Sequence, residues 1–188
     1  IVLIARNIEN NGEITTENGT VALAAGSEVL LKASGDEKIL IQAGSTNASV
    51  TNTGLIEATN AELKAMGGNE FALAINNEGA VRATGVEERD GRIWLVAETG
   101  TTQNTGELTA KSGDEGGKIQ VLGDRVSVKG DALIDASGEN GGGEILIGGD
   151  FQGKNQDVKN AQRTFIGSDA VIKADATTNG DGGKVIVW

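Results

Sequence analysis

The chain has 188 residues, a formal net charge of −11 and a hydrophobic content of 38%, and it contains no proline, cysteine or histidine. Without His and Cys it cannot form a Ser-His-Asp triad, a thiolate zinc site or a disulfide framework. The net negative charge argues against nucleic acid as a partner, since phosphate binding needs a basic surface. No apolar run is long enough to insert into a membrane.

Two kinds of short segment alternate along the whole chain. The first has apolar residues two positions apart, followed by a small residue, and its copies begin at residues 1, 21, 39, 61, 93, 119, 145 and 185. The second places Asn, Gly, an apolar residue and a small residue two positions apart, with strict copies at Asn10, Asn52, Asn77 and Asn104 and looser ones at Ser27, Gly130 and Ser168. Alternation with a period of two is typical of β-strands with one buried face. The lack of proline agrees, because proline cannot donate to a strand ladder.

The first segment type recurs on average about every 26 residues, and such recurrence is the signature of a repeat architecture. An antiparallel sandwich also combines short strands with Gly and Asn turns, but the regular return of like segments favours stacking of each copy on the previous one. We therefore predict an all-β, right-handed parallel β-helix of about seven to eight turns of roughly 26 residues, since parallel crossovers are right-handed. Residues 1–188 form a single β-helix segment, with a longer loop excursion at about 150–163. Neither end resembles a capped coil, so we expect a piece of a longer protein.

The second segment type supplies the candidate structural positions. They are Asn10, Gly12, Asn52, Gly54, Asn77, Gly79, Asn104 and Gly106. The four Asn side chains could stack as an inward amide ladder, each bonding the turn above and below, or they could simply favour turns. The Asn-Gly pairs at 11–12, 18–19, 140–141 and 179–180 are predicted to supply positive φ.

Acidic, glycine-rich loops recur at residues 113–117, 138–141 and 179–183. Carboxylate and carbonyl oxygens are the ligands that calcium takes, so these loops could bind it. The carboxylates are not regularly spaced, which favours solvated turns. We therefore expect no cofactor, with calcium as the alternative.

A carbohydrate-cleaving enzyme is a further alternative, because a glycosidase needs two carboxylates that face a sugar across a groove. Asp150, Asp157 and Asp169 lie near the longest segment without the repeat, and Arg163 could serve as a lyase base. Only three Phe and two Trp are available as sugar platforms, and 27 acidic residues bring a few together by chance. We predict no enzymatic activity.

An adhesive surface is the remaining kind of candidate site. Trp94 alternates with inward-facing residues and is expected to point outward, where it either anchors a partner or is covered by the segment 86–90. The candidate adhesive residues are Trp94, Phe151, Gln152, Lys154 and Asn155.

Three stretches near the C-terminal end resemble filamentous-haemagglutinin-like two-partner secretion exoproteins. They are GGGEILIGGDFQG at 141–153, NAQRTFIG at 160–167 and DGGKVIVW at 181–188. The upstream stretch NGTVALAAG at 18–26 is similar to the region that follows the secretion domain in that family. The resemblance implies a right-handed parallel β-helix in a large bacterial adhesin that is secreted or held at the cell surface.

By the same resemblance we expect a structural stalk or fibre segment that supports adhesion. The implied partner is an outer-membrane secretion transporter. It would be recognised through regions outside this sequence, because the chain has no Asn-Pro-Asn motif. Two alternatives stay open: a surface that binds host or matrix glycans or proteins directly, and a subunit that associates end to end into a β-helical filament.

Overall fold

The computed structural model describes residues 1–32, 39–41, 47–85 and 91–188. Three predictions involve residues outside these ranges: Ala33, the small residue that closes the looser copy at Ser27, Ala43, the small residue that closes the copy at 39, and the segment 86–90 as a cover for Trp94. The described chain is built from short strands that stack in three long parallel sheets, here called sheets A, B and C. Each coil contributes one strand to each sheet in turn, which confirms the predicted parallel β-helix.

The strand bounds are as follows. Sheet A contains β1 (Val2–Ala5), β4 (Thr20–Ala25), β9 (Asn60–Met66), β12 (Arg92–Thr99), β16 (Lys118–Leu122), β19 (Glu144–Ile147) and β22 (Lys184–Val187). Sheet B contains β2 (Asn7–Asn10), β7 (Ser49–Asn52), β10 (Leu73–Asn77), β13 (Thr101–Asn104), β17 (Arg125–Val128) and β20 (Arg163–Ile166). Sheet C contains β3 (Glu13–Thr15), β8 (Leu55–Ala58), β11 (Ala80–Gly85), β14 (Glu107–Ser112), β18 (Leu133–Asp135) and β21 (Val171–Lys173).

Four further elements lie outside this pattern. The strands β5 (Val29–Leu31) and β6 (Ile39–Ile41) pair antiparallel with each other, and the short β15 (Glu115–Gly116) pairs antiparallel with β14. A single turn of 3-10 helix spans Phe151–Gly153, in the connection between β19 and β20. These elements are additions at the corners of the coil.

The number of coils differs from the prediction. In the described part of the chain, sheet A has seven strands, which make six complete coils and the first strand of a seventh. The pairs along its inward column are Leu3 with Leu23, Leu23 with Leu63, Leu63 with Leu95, Leu95 with Val121, Val121 with Ile147 and Ile147 with Val187. Successive coils are therefore 20, 40, 32, 26, 26 and 40 residues long, and only two of them have the predicted length. The segment at Ile39 and Ile41, predicted as a coil of its own, is β6 and lies outside sheet A.

The core lies between the three sheets and is almost entirely aliphatic. Its columns follow the strand register, as in the fully buried series Ile56, Val81, Leu108 and Ile134 of sheet C. Like residues stacked at the strand spacing of about 4.8 Å fill a narrow interior without voids. Branched aliphatic side chains suit this interior, which explains how so few aromatic residues suffice.

The three corners of the coil differ in length. In the first four coils the corner between sheets B and C contains only two residues, 11–12, 53–54, 78–79 and 105–106. In the next two coils it has four residues, 129–132 and 167–170. The long connections lie at the other corners, as in residues 148–162 between sheets A and B. The Asn-x-Gly segments thus occupy the corner that stays tightest.

Candidate functional site

The four asparagines of the second segment type form one column inside the coil, at the tight corner. Asn10 Nδ2 donates to Asn52 Oδ1 at 2.7 Å, Asn52 Nδ2 to Asn77 Oδ1 at 2.8 Å, and Asn77 Nδ2 to Asn104 Oδ1 at 2.7 Å. Each side chain also donates to a carbonyl of its own or the next corner, such as Gly79 O for Asn77. Three of the four amides are fully buried. Every amide in the column therefore exchanges hydrogen bonds with neighbouring coils, which holds the coils in register.

The glycines two positions after these asparagines form a second column. A Cβ atom on Gly54 would lie 2.0 Å from Gly12 O, one on Gly79 2.1 Å from Gly54 O, and one on Gly106 2.0 Å from Gly79 O. None of these glycines has a positive φ, and neither does Gly19 or Gly141. The prediction of positive φ is correct only for Gly180, at 86°. At the tight corner glycine is required because successive backbones approach too closely for a side chain.

Sheet A is buried on its outer face as well as its inner one. A cluster of Trp94, Val96, Leu122, Leu146 and Val158 covers this face over β12, β16 and β19. Trp94 points outward as expected but is only 5% exposed, which removes it from any exposed adhesive surface. Val158 belongs to the connection 148–162, so this connection folds back over the sheet and contributes to the cluster that contains Trp94.

The other four candidate adhesive residues lie on that connection, here called the β19–β20 loop (residues 148–162). The carboxylate of Asp150 organises its tip: Oδ1 accepts from Phe151 N at 2.7 Å, and Oδ2 accepts from Asn155 Nδ2 at 2.8 Å. These bonds, the Asn155 one foremost, lower the pKa of Asp150 below its ordinary value. Gln152 has a φ of 57°, a conformation that L-residues adopt with strain.

The side chains at the loop tip are exposed to solvent, while the loop base is anchored. Phe151 is 65% exposed, and Gln152, Lys154 and Asn155 are exposed too. At the base, Lys159 Nζ lies 2.8 Å from Asp124 Oδ1 and donates to Glu98 O at 3.0 Å. The structure therefore presents Phe151, Gln152, Lys154 and Asn155 together on an ordered projection and places Trp94 beneath it.

The β5–β6 hairpin covers the outer face of sheet A over β4 and β9. Its apolar residues pack on Ala22, Ala24 and Met66. Two buried charges of β9 hold the backbone of β6, since Glu62 Oε2 accepts from Ile39 N at 3.1 Å and Lys64 Nζ donates to Ile39 O at 3.0 Å. Glu62 and Lys64 also lie 3.8 Å apart as an ion pair. Our sequence analysis missed these two residues. The nearest signal is the unbroken apolar run Val21–Ala25, which is typical of a strand covered on both faces.

The acidic, glycine-rich loops stack on one another at the corner between sheets C and A. Gly116 N donates to Gly141 O at 2.9 Å and Gly142 N to Asp181 O at 3.0 Å. Beside them runs an open groove of about 520 Å³ whose charged lining residues alternate in sign: Glu115, Lys118, Glu144 and Lys184. A hydrogen bond from Lys184 to Glu144 raises the pKa of the ammonium group. Among the described residues, no three acidic side chains converge as metal ligands would.

The candidate catalytic acids lie at different places on the coil. Asp150 is engaged at the tip of the β19–β20 loop, and Asp157 is exposed further along it. Asp169 lies at the corner between β20 and β21, where it accepts from Ser168 Oγ at 3.2 Å. Arg163 begins β20 on the outer face of sheet B. Two of the three carboxylates thus belong to one loop and the third to another corner.

Comparisons with known proteins agree with this fold. Neither a protein-family model nor a curated protein matches the chain. Among solved structures, the chain is similar to the crystal structure of the HMW1 secretion domain from Haemophilus influenzae, with a TM-score of 0.68 and 24% identity. The match covers 90% of this chain and 45% of that one, so the chain spans less than half of its neighbour's length. At this identity the likeness shows a shared fold.

The structural likeness and the sequence resemblance concern different regions. The stretch at 18–26 resembles the part that follows a secretion domain, whereas the structural neighbour is a secretion domain itself. Among the described residues, none lies in a helix long and apolar enough to cross a membrane.

Proposed function

We propose that this chain is a structural spacer, a stalk or fibre segment of a large exported bacterial exoprotein of the two-partner secretion type. It holds an adhesive part of that protein away from the cell. The exoprotein is secreted or stays at the cell surface, and it crosses the outer membrane through a dedicated transporter that recognises regions outside this sequence. The spacer itself performs no catalysis.

The uniform register of the coils is the observation that carries this proposal. Six successive coils place like residues on like residues, and the amide column links four corners into one hydrogen-bonded series. Such a repeat gains about 4.8 Å of length with each coil and resists bending, because every coil hydrogen-bonds to the next along three sheets. The likeness in fold to a secretion domain supports the assignment to an exported protein.

Insertion of whole coils tests the spacer role. Residues 92–117 form one coil that begins and ends at equivalent positions, since Arg92 pairs with Lys118 in sheet A. Repeating these 26 residues twice more after residue 117 should lengthen the particle by about 10 Å in small-angle scattering, with no change in its cross-section. The matched control carries a Gly-Ser insert of equal length, which should add disordered chain without ordered length. A repeat-bearing chain no longer than the parent would contradict the spacer.

Labelling of intact cells tests the exported location separately. Antibodies raised against the 188-residue chain should bind cells of the source bacterium, or protein in its medium, before the envelope is permeabilised. Binding that depends on permeabilisation would contradict export and leave the mechanical result intact.

The tip of the β19–β20 loop favours a second function, direct adhesion. Phe151 is 65% exposed on an ordered projection next to the polar side chains of Gln152, Lys154 and Asn155. Replacement of Phe151 by Ser tests it without uncovering Trp94, because Phe151 is not part of the buried cluster. Adhesion to a glycan or matrix surface that survives this change unaltered would exclude the loop tip as the contact.

A further inference from the structure

A cleft on the outer face of sheet B lies apart from the loop tip and the groove just described. Its volume is about 240 Å³, and it is lined by Phe71, Thr101, Arg125, Val126, Ser127, Arg163 and Phe165. Phe71 comes from the connection between β9 and β10, and the remaining residues come from β13, β17 and β20. The cleft therefore forms only when four successive coils stack.

Two arginines dominate the chemistry of this cleft. Arg125 and Arg163 are directly paired in the register of β17 and β20. Their side chains therefore leave the sheet from neighbouring positions on adjacent strands. Among the described residues, no carboxylate lies within 4.0 Å of either group. Like charges directly opposite on neighbouring strands destabilise a sheet. The pair thus concentrates uncompensated positive charge on a chain whose net charge is −11.

Arg92 and Lys118 of sheet A are also like charges in register, but each has another interaction partner. On the outer face of sheet C, charges paired in register have opposite signs. Arg82 is in register with Glu57, and its Nε lies 3.1 Å from Oε1 of Glu107 on the next strand. Asp135 pairs with Lys173, with Oδ2 and Nζ 3.0 Å apart. Against these neutralised pairs the two arginines of the cleft stand out as a site for an external anion.

Arg125 is held in place by an aromatic ring and retains an unused donor. Its Cζ lies 4.2 Å from the centre of the Phe71 ring, a cation–π contact. Among the described residues, its Nε is the single buried side-chain nitrogen or oxygen without a hydrogen-bond partner. An unsatisfied buried donor costs free energy until an acceptor reaches it. The guanidinium plane is therefore fixed by Phe71 while part of its hydrogen-bonding capacity stays available.

The cleft also has apolar walls. Phe71 is 65% exposed and Phe165 is 54% exposed. A phenyl ring has no polar atom that can hydrogen-bond to water, and a patch of exposed apolar surface often marks a binding site. Thr101 and Ser127 also line the cleft and carry hydroxyl groups. A ligand that matches this lining has an anionic group for the guanidinium forks, a flat face with C–H bonds for the rings, and neutral hydroxyl groups.

We propose that the Phe71–Phe165 cleft binds a pyranose that carries a carboxylate, that is, a hexuronate unit of an acidic polysaccharide. A carboxylate matches the planar guanidinium in a two-point hydrogen bond, the ring packs on the phenyl walls, and its hydroxyls meet Thr101 and Ser127. The volume of about 240 Å³ admits one such unit and leaves the rest of the saccharide outside. This inference goes beyond the spacer role and does not depend on it.

Titration of the 188-residue chain with a galacturonate hexamer, followed by calorimetry and NMR, tests the proposal. We expect the hexamer to shift the signals of the Arg125 and Arg163 side chains. Replacement of Arg163 by Gln should weaken binding about tenfold, the effect of losing a charge-assisted hydrogen bond. The control Arg82→Gln removes an equal charge from sheet C, where Arg82 is paired with Glu107, and should leave the affinity within about twofold.

Each other outcome overturns the proposal. Equal losses of affinity in the Arg163→Gln and Arg82→Gln variants would show nonspecific charge attraction. Equal affinity for a hexamer whose carboxyl groups are reduced to alcohols would show that the carboxylate is not recognised. Tighter binding of a sulfated hexamer would exclude the carboxylate, and tighter binding of a glutamate hexapeptide would assign the cleft to acidic peptides. Phe165→Ala removes a wall while retaining both arginines, and unchanged affinity in that variant would exclude the ring contact.

Discussion

Replacement of Asn77 by Ala is the sharpest test of the amide column. Asn77 is fully buried and takes part in three side-chain hydrogen bonds: it donates to Asn104 Oδ1 and Gly79 O and accepts from Asn52 Nδ2. Each such bond contributes about 1 kcal/mol net, and an acceptor left buried without a donor adds about 1–3 kcal/mol. Gly79 O retains the bond from Glu107 N, so Asn104 Oδ1 is the group that loses its donor. We expect the free energy of unfolding to fall by about 4 kcal/mol.

Urea unfolding followed by circular dichroism measures this change, with a constant m-value showing that the same surface is exposed. The matched control is Asn76→Ala, on the same strand but outward, where water can replace the bonds to Glu78 and Gln103. We expect it to cost less than about 1 kcal/mol. Asn10→Ala, at the end of the column with a single Asn partner, should lie between the two. Equal costs for the inward and outward variants would refute the role assigned to the column.

Three further outcomes are expected. Gly79→Ala should destabilise the chain by more than about 3 kcal/mol in the same assay, because its Cβ would lie 2.1 Å from a backbone oxygen. The control Gly12→Ala has nothing within 4 Å of its Cβ and should be neutral to within about 1 kcal/mol. Trp94→Ala should cost about 3–5 kcal/mol and speed protease cleavage of the β19–β20 loop, an effect that the exposed Phe151→Ala should lack. An arginine hydrogen bond lowers the pKa of Glu107, so its contribution is present above the unfolded pKa and is lost as the pH falls through the folded one. Glu107→Gln should therefore be up to about 1 kcal/mol less stable than the parent at pH 7, and this difference should shrink as the pH falls through the folded pKa of Glu107. A difference that does not shrink in acid would contradict this.

The sequence alone was enough to predict the coil, because a parallel stack repeats the same local pattern at the same place in every turn. Leu63 and Leu95, for example, are predicted to share an inward column because each stands at the same place in a recurring pattern of period two, and they do pair in register. The same pattern misassigned Ile39, since a strand that packs on the outside of the coil also alternates. Glycines at corners were misjudged for a related reason. Composition cannot distinguish a residue that needs a positive φ, such as Gly180, from one such as Gly79 that needs room for a neighbouring backbone.

The candidate sites were harder to predict, since they depend on contacts between distant parts of the chain. The apolar run around Trp94 indicates a strand covered on both faces, but it does not say that Val158 supplies the cover. Phe71 and Arg125 belong to different coils, and nothing local to either indicates that they meet. Which residues of different coils meet depends on the length of each coil. Insertions at two of the three corners make these lengths irregular.

The two-residue corner between sheets B and C has an evolutionary consequence. In four coils its amides and glycines fit so closely that extra residues cannot enter, while the corner between sheets A and B accommodates both the β5–β6 hairpin and the β19–β20 loop. Along these four coils one edge of the particle is thus a constrained seam, and another can take insertions without disturbing axial spacing. Grafted epitopes or reporter peptides belong at the variable edge, in place of residues 152–156, where they would be displayed on a scaffold that does not change beneath them.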